Sequence, residues 1–231
     1  MDLMKKGVSG ILKLIATIIV VVAVALALIF GYNMLQLFIF ARGDYLLFVA
    51  NGLSFLPIMI ILFLIEYNYY NIKEKNTNKK KNKEVQAPKP SKARRIVKLI
   101  YATVIIGFIY IGITSYSILY KDSIKVASAT KPAGIIYKYN DINKVKVGVK
   151  RIFDGSYSVY YKVIFNNGDK AELFHGSMFE EKGGRHEEIL EKLDEQLKEQ
   201  GVEKEANKKN FDKYASGLDK DFVSKVEKLF D

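Results

Sequence analysis

The feature that most constrains this chain is a run of 28 residues without a charged side chain, from Leu14 to Ala41. As a helix this run would extend about 42 Å, which exceeds the ~30 Å hydrocarbon core of a bilayer. Two further apolar segments, 45–65 and 99–120, also reach the length of roughly 20 residues that a spanning helix needs. The pattern therefore predicts a membrane domain over residues 1–120, with three transmembrane helices at about 14–40, 45–65 and 99–120.

The charge distribution predicts how this domain is oriented. The chain has a net charge of +11, and residues 1–120 hold 15 Lys and Arg against 5 Asp and Glu. The loop 66–98 alone carries 11 basic residues, and short loops rich in Lys and Arg stay in the cytoplasm. The prediction is a multi-pass plasma-membrane protein whose N-terminus and loop 66–98 are cytoplasmic and whose residues 121–231 are extracytoplasmic.

The Lys-rich part of this loop, 71–95, has no hydrophobic period and is predicted to be disordered. It is also predicted to contact anionic lipids at the cytoplasmic face of the bilayer, at about 1 kcal/mol per basic residue. The candidate contacts are Lys79, Lys80, Lys81, Lys83, Arg94 and Arg95. Nucleic acid is not expected as a partner, because no aromatic side chain that could stack on bases lies between Ile72 and Arg95.

Small and polar residues within the predicted spans are candidates for helix packing. Ala23, Ala27 and Gly31 follow one another at intervals of four, which forms a stripe where a second helix can approach closely. Three amide side chains accompany them, and an inter-helix hydrogen bond of about 0.6 kcal/mol is favoured over a polar site within the membrane. These amides are Asn33, Gln36 and Asn51.

Residues 121–231 change to the patterns of an α+β domain. Alternating or β-rich segments predict an antiparallel sheet of four to five strands, at 123–127, 134–139, 144–150, 157–165 and 170–175. Helical periods follow. The first has Ile189, Leu190, Leu193 and Leu197 on one face and Gly201 after its end, and Asp219 is the predicted N-cap of the last helix.

Matching apolar faces predicts the strand register. A three-residue loop at Asn166-Asn167-Gly168 pairs Phe165 with Asp169, Val163 with Ala171, Lys162 with Glu172 and Tyr161 with Leu173. The preceding hairpin is predicted to pair Val149 with Tyr161, Val147 with Val163 and Val145 with Phe165. Both registers bury Tyr161 and Val163 in the middle of three strands.

Several short motifs together resemble a known family. They are Tyr137-Lys138-Tyr139, Asn140-Asp141-Ile142, the strand 144–150, Asn167-Gly168 and the helix 189–197. Over residues 133–200 this succession resembles the bacterial pleckstrin-homology-like (PH-like) domains of small Gram-positive, Firmicutes-type membrane proteins. The resemblance implies a binding or scaffolding module rather than an enzyme, and a simpler β-meander with helices is the alternative fold.

No catalytic, cofactor-binding or metal-binding residue is predicted. The chain has no Cys, so it forms no disulfide and has no thiol nucleophile. The cluster of His175, Glu180, Glu181, His186 and Glu187 matches no metal-ligand spacing, and no nucleophile elbow or phosphate loop occurs. We therefore expect no cofactor and no enzymatic activity.

Together these observations predict a membrane-anchored, extracytoplasmic binding or scaffolding module of the bacterial cell envelope. Its outside partner would be an unknown protein, wall polymer or lipid. The alternative is an accessory subunit of a membrane transporter or secretion complex, which would dock through the stripe of small residues at Ala23, Ala27 and Gly31.

Overall fold

The computed structural model describes residues 19–20, 23–24, 27, 30–32, 34–50, 92–152, 155–174, 179–181 and 184–231. The chain divides into two compact units. The first comprises residues 1–35 and 55–109, and the second comprises residues 36–54 and 110–231. In the first unit the described residues are helical. The second unit, here called the sheet unit, contains all the described strands.

The elements follow one another in this order. They are β1 (Leu47–Ala50), α1 (Lys92–Thr114), β2 (Tyr116–Leu119), β3 (Ser123–Ser128), β4 (Lys131–Lys138), a 3₁₀ turn (Tyr139–Asp141), β5 (Ile142–Arg151), β6 (Tyr157–Phe165), β7 (Lys170–Phe174), β8 (Phe179–Glu181), α2 (His186–Glu199), β9 (Glu203–Asn207), α3 (Phe211–Ala215) and α4 (Lys220–Lys228). A further helical segment covers residues 34–40 and precedes β1.

The strands form two sheets. Sheet A has the order β4-β3-β2-β1-β8 and is antiparallel throughout. Sheet B has the order β7-β6-β5-β9, in which β9 runs parallel to β5. The chain passes from sheet A to sheet B at the 3₁₀ turn, where the Lys138 backbone N–H donates to Asp141 Oδ2 at 2.8 Å.

The main core packs residues of both sheets against α2. Leu190, Leu193 and Leu197 of α2 are buried, as the spacing of apolar residues predicts. The helix ends in a Schellman motif at Gly201, whose φ is +74°. There the Val202 N–H donates to the Leu197 carbonyl at 3.0 Å, which satisfies a carbonyl that the helix leaves unpaired.

A second cluster covers the outer face of sheet A, the face turned away from the main core. The rings of Phe40, Phe48 and Tyr116 stack there, with 4.6 Å between the centroids of Phe40 and Tyr116. The buried Gln36 side chain donates through Nε2 to the carbonyls of Gly112 and Ile113, at 3.0 and 2.9 Å. The central strands β1 and β2 are therefore buried on both faces.

The prediction of three transmembrane helices is wrong for the part of the chain that the structure describes. No helix there is long and apolar enough to cross a membrane. Two of the predicted spans contain strands: 45–65 includes β1 and 99–120 ends in β2. Because these strands are buried on both faces, their sequences are mostly apolar and do not follow a strict alternation.

Other parts of the membrane prediction lie outside the described residues. These include residues 51–65, much of 14–40 and the Lys-rich segment up to residue 91. Residues 92–95, the end of the segment predicted to be disordered, belong to α1. The predictions of a plasma-membrane location and of extracytoplasmic residues 121–231 depended on the three spanning helices and are corrected with them.

The prediction of one antiparallel sheet of four to five strands is also wrong. The described residues form a five-stranded and a four-stranded sheet, and the latter is mixed. The strands that the sequence patterns miss are β1, β2, β8 and β9. The first two are hidden in apolar runs, β8 has three residues, and β9 is an exposed strand whose sequence is Glu-Lys-Glu-Ala-Asn.

The strand register agrees with one predicted hairpin and differs in the other. Between β6 and β7, Val163 pairs with Ala171 and Lys162 with Glu172, as predicted, but a bulge places Tyr161 opposite Phe174 instead of Leu173. Between β5 and β6, Val147 pairs with Tyr161 and not with Val163, because the turn is centred one residue earlier than predicted, with the Ile152 N–H donating to the Ser156 carbonyl. A shift of two residues keeps every side chain on its face. Tyr161 and Val163 are accordingly fully buried.

The predicted N-cap at Asp219 gives a first testable expectation. Its Oδ1 accepts a hydrogen bond from the Phe222 N–H at 3.1 Å at the start of α4. We expect Asp219→Ala to lower the free energy of unfolding by about 1 kcal/mol, because one backbone donor loses its partner. Urea denaturation of the full-length protein measures this. The matched control is Asp212→Ala on the exposed side of α3, which should change stability by less than about 0.5 kcal/mol.

Candidate binding surface

Strand β4 forms one edge of sheet A, and its outer side pairs with no strand of the described chain. Exposed edges offer unpaired backbone groups to other extended chains, and proteins usually protect them. Here the N-terminal half of β4 is protected, because Pro132 lacks an N–H and Gly134 has a φ of +76° that breaks the regular strand. In the C-terminal half, Ile135–Lys138, Asp141 accepts from the Lys138 N–H, and Ile136 has no such protection.

The backbone groups of Ile136 face outward from this edge. Ile136 pairs with Lys125 of β3, and Lys138 pairs with Ser123. The Lys138 N–H donates to Asp141 and not to β3. Since inward and outward groups alternate along an antiparallel strand, the N–H and C=O of Ile136 also point away from β3. Its side chain is 64% exposed, which is unusual for a large apolar residue within a sheet.

Three cavities lie around Lys121, between Ile136 and the C-terminal half of α2. They have volumes of about 390, 660 and 260 Å³, and the name Lys121 groove refers to the three together. The first lies beside Ile136, and the largest reaches Gln196 and Gln200 of α2. The turn that carries Lys121 is held in place by Tyr139, whose hydroxyl donates to the Tyr120 carbonyl at 2.6 Å.

The lining of the Lys121 groove mixes polar and apolar side chains and carries both signs of charge. Its charged members are Lys121, Lys138, Lys192, Asp44, Asp122 and Glu199, and its amides are Asn140, Gln196 and Gln200. Burial raises the pKa of Tyr139, so its hydroxyl stays protonated at neutral pH. The groove therefore offers hydrogen-bond donors and acceptors without a strong preference for charge. Peptide backbone, which needs both, suits such a lining.

A polar cluster fixes the edge strand to the neighbouring hairpin of sheet B. The Tyr137 hydroxyl donates to the Asp169 carboxylate, which also accepts from Lys131 Nζ at 3.0 Å and from Asn167 Nδ2 at 3.2 Å. The hydrogen bond from Tyr137, followed by that from Lys131, lowers the pKa of Asp169. The Tyr137 ring stacks on Phe165 with 4.0 Å between centroids. These contacts hold β4 in position and leave its outer edge uncovered.

A second polar cluster lies between sheet B and α2. The Tyr161 hydroxyl donates to Asp194 Oδ1 at 2.9 Å, and Lys204 Nζ contacts Asp194 Oδ2 at 2.5 Å. Burial, followed by the charge of Asp194, raises the pKa of Tyr161 well above its ordinary value. This cluster connects β6, α2 and β9, and it contributes to stability without facing the groove.

The structure brings none of the residues predicted from sequence into this surface. Ala23, Ala27 and Gly31 are helical and exposed, and no side chain of the described residues lies within 4 Å of a Cβ added to Gly31. Gln36 is buried against α1 within the sheet unit. The other two packing candidates, Asn33 and Asn51, lie outside the described residues. Of the candidate lipid contacts, Arg94 and Arg95 lie in α1, and Lys79, Lys80, Lys81 and Lys83 lie outside the described residues, so contact with anionic lipids stays a prediction.

The residues weighed as metal ligands do not form a site where the structure describes them. In the described ranges, no group of three or more His, Asp or Glu side chains is placed to hold a metal ion. His186 is buried, with Nε2 2.7 Å from the Leu173 carbonyl, and His175 lies outside the described residues. Ile136 and Lys121 were missed because one exposed Ile and one loop Lys carry no pattern in a sequence.

No protein-family model, curated protein or solved structure matches the chain.

Proposed function

We propose that the sheet unit is a non-catalytic binding module of the PH-like kind, which takes an extended polypeptide segment along the free edge of β4. The segment adds a strand to sheet A beside Ile136 and continues into the Lys121 groove. Binding by strand addition takes its affinity from backbone hydrogen bonds and its specificity from pockets for alternate side chains. The successive hairpins β2–β4 and β5–β7, followed by α2, support the resemblance to PH-like domains.

One observation carries this proposal. The outward backbone groups of Ile136 and its 64% exposed side chain lie directly beside a cavity of about 390 Å³. An apolar side chain at an open edge usually favours aggregation, unless a partner covers it. The polar clusters around Asp169 and Asp194 hold strands and α2 in place. Binding is therefore a better interpretation than catalysis.

The alternative of docking through the stripe at Ala23, Ala27 and Gly31 has less support. These residues are exposed in the structure, as a docking stripe would require. The hydroxyl of the adjacent Tyr32 is buried, but the described residues between 19 and 35 include no charged side chain. The edge of β4 has outward backbone groups, an exposed apolar side chain and charged residues beside it.

The experiment is to pan displayed random peptides on the full-length protein and to measure the affinity of those selected. We expect selected peptides to lose binding to Ile136→Pro by a factor of about ten or more, because the N–H that pairs with the peptide is removed. The fold should persist, since an outward-facing position on an edge strand tolerates Pro. Ile136→Val is the matched variant and should bind almost normally, because its backbone N–H remains.

Equal peptide affinity for the native protein and for Ile136→Pro would place the binding surface elsewhere. The unfolding midpoint of each variant in urea shows whether the fold is intact. If Ile136→Val lost as much affinity as Ile136→Pro, the side chain and not the backbone edge would dominate, which contradicts strand addition.

A further inference from the structure

Lys125 lies one strand inward from the free edge and extends toward it. A Cβ atom added to Gly134 of β4 would lie 2.7 Å from Lys125 Cε, so the stem of Lys125 lies over β4 in the space that the glycine leaves open. Its ammonium group is 5.9 Å from the centroid of the Tyr116 ring. The Tyr116 hydroxyl in turn contacts the Pro132 carbonyl at 3.4 Å. These contacts direct the charge of Lys125 toward the edge on the outer face of sheet A.

This cation has an unfavourable environment in the described protein. Lys125 is partly buried, and its pKa is lowered first by burial and then by the positive charge of Arg42. No carboxylate of the described residues forms an ion pair with either side chain. By contrast, Lys144, Lys150 and Lys204 each contact a carboxylate. Two neighbouring cations without an anion cost free energy, which an anionic ligand would recover.

We propose that the extended segment bound along β4 carries an acidic side chain, whose carboxylate pairs with the Lys125 ammonium beside Gly134. This inference rests on the proposed function, and it adds the chemistry of the partner. Ile136 and Lys125 are directly opposite each other, so their side chains lie on the same face of the sheet. A residue of the added strand opposite Ile136 lies on that face too, and Lys125 reaches toward it across β4. The positive charge of Arg42 adds to the same local potential.

The test compares acidic and neutral versions of one peptide on the full-length protein. The probes are peptides selected by panning and their twins, in which Gln or Asn replaces each Glu or Asp. We expect the acidic peptides to bind about tenfold or more tightly than their twins, which is the range for a hydrogen bond to a charged group. The difference should decrease as salt is added, because an exposed ion pair is screened.

The Lys125→Met variant locates the effect. Methionine keeps an unbranched stem that can cross Gly134 and contact Tyr116, but it has no charge. In this variant the acidic peptide and its neutral twin should bind equally. Lys220→Met is the control, because it removes the same charge from the exposed side of α4, and it should keep the full preference for the acidic peptide. The urea midpoint of each variant reports whether the fold is intact.

The outcomes distinguish this inference from the function on which it rests. If acidic peptides and their twins bind the native protein equally, and Ile136→Pro weakens both, strand addition holds and the acidic partner is wrong. A preference that survives in Lys125→Met would place the anion site on another cation. If panning selects no peptide that depends on Ile136, the proposed function fails and this inference fails with it.

Discussion

Asp194→Ala should destabilise the protein by about 3 kcal/mol, because it removes the shared partner of two groups that are almost buried. The Asp194 and Lys204 side chains are 13% and 18% exposed, and Tyr161 is fully buried. Without the carboxylate, the ammonium of Lys204 and the hydroxyl of Tyr161 both lose their hydrogen-bond partner. Urea denaturation of the full-length protein measures the change in the free energy of unfolding.

Two further variants separate the contributions in this cluster. Lys204→Met should cost about 1–2 kcal/mol, because Asp194 keeps the hydrogen bond from Tyr161. Tyr161→Phe should cost a similar amount, because Lys204 remains paired. If Asp194→Ala cost less than either single variant, the carboxylate would not be the centre of the cluster, and the connection of α2 to β9 would have another origin.

The second large effect is a loss of stability in weak acid that depends on His186. This side chain is 3% exposed, stacks on Phe174 with 4.7 Å between ring centroids and lies with Nε2 2.7 Å from the Leu173 carbonyl. A carbonyl only accepts, so Nε2 carries the proton of the neutral ring. Burial lowers the pKa of His186 to about 4, whereas its ordinary value is 6.5.

The direction of the effect follows from proton binding in the two states. Below pH 6.5 the unfolded chain protonates this histidine, while the folded protein does not until the pH approaches about 4. Stability is therefore complete above the unfolded pKa and decreases as the pH falls through this window. Between about pH 7.5 and about pH 5, His186 should account for a loss of roughly 2 kcal/mol.

His186→Gln supplies the control for this prediction. Its amide can still donate to the Leu173 carbonyl, but it does not titrate. The free energy of unfolding, measured in urea at both pH values, should fall by roughly 2 kcal/mol less in the variant than in the native protein. Groups common to both proteins cancel in this difference. Parallel pH profiles for the two proteins would show that His186 is protonated in the folded state or is accessible to water.

The sequence patterns predict the C-terminal part of the sheet unit well, for a physical reason. Strands β5 and β6 bury one face, so their apolar residues alternate, and α2 buries one stripe, so its apolar residues recur with the helical period. Local signals also fixed the ends of helices, because Gly201 and Asp219 each satisfy backbone groups that a helix leaves unpaired.

Strands that are buried on both faces carry no such pattern in the sequence. Strands β1 and β2 lie between the main core and the cluster around Phe40, and all eight of their residues are buried. Such strands have no alternation, and their apolar residues merge with those of the segments that flank them. The sequence 99–120 therefore resembled one long helix, whereas the helix ends at Thr114 and a strand begins at Tyr116.

The candidate surface could not be predicted at all, because it arises from sheet order. Strand β4 is an edge because β1 and β8 join sheet A at its opposite end, beside β2, and not beside β4. Both strands are distant from β4 in the sequence, so no local pattern indicates this order. The space above Gly134 matters only because Lys125 of the neighbouring strand fills it. Single residues of this kind acquire a role through contacts made after folding, and no spacing in the chain indicates them.

The exchange rate of the Ile136 backbone amide, with and without a selected peptide, measures directly whether a strand is added to the edge of β4. In the free, full-length protein this outward-facing N–H should exchange rapidly with solvent. We expect a saturating peptide to slow its exchange by a factor of about ten or more, because the peptide supplies the missing acceptor. The amides of β9, at the edge of sheet B, should not change. Protection at β9 with no change at Ile136 would show that the peptide does not add to the edge of β4.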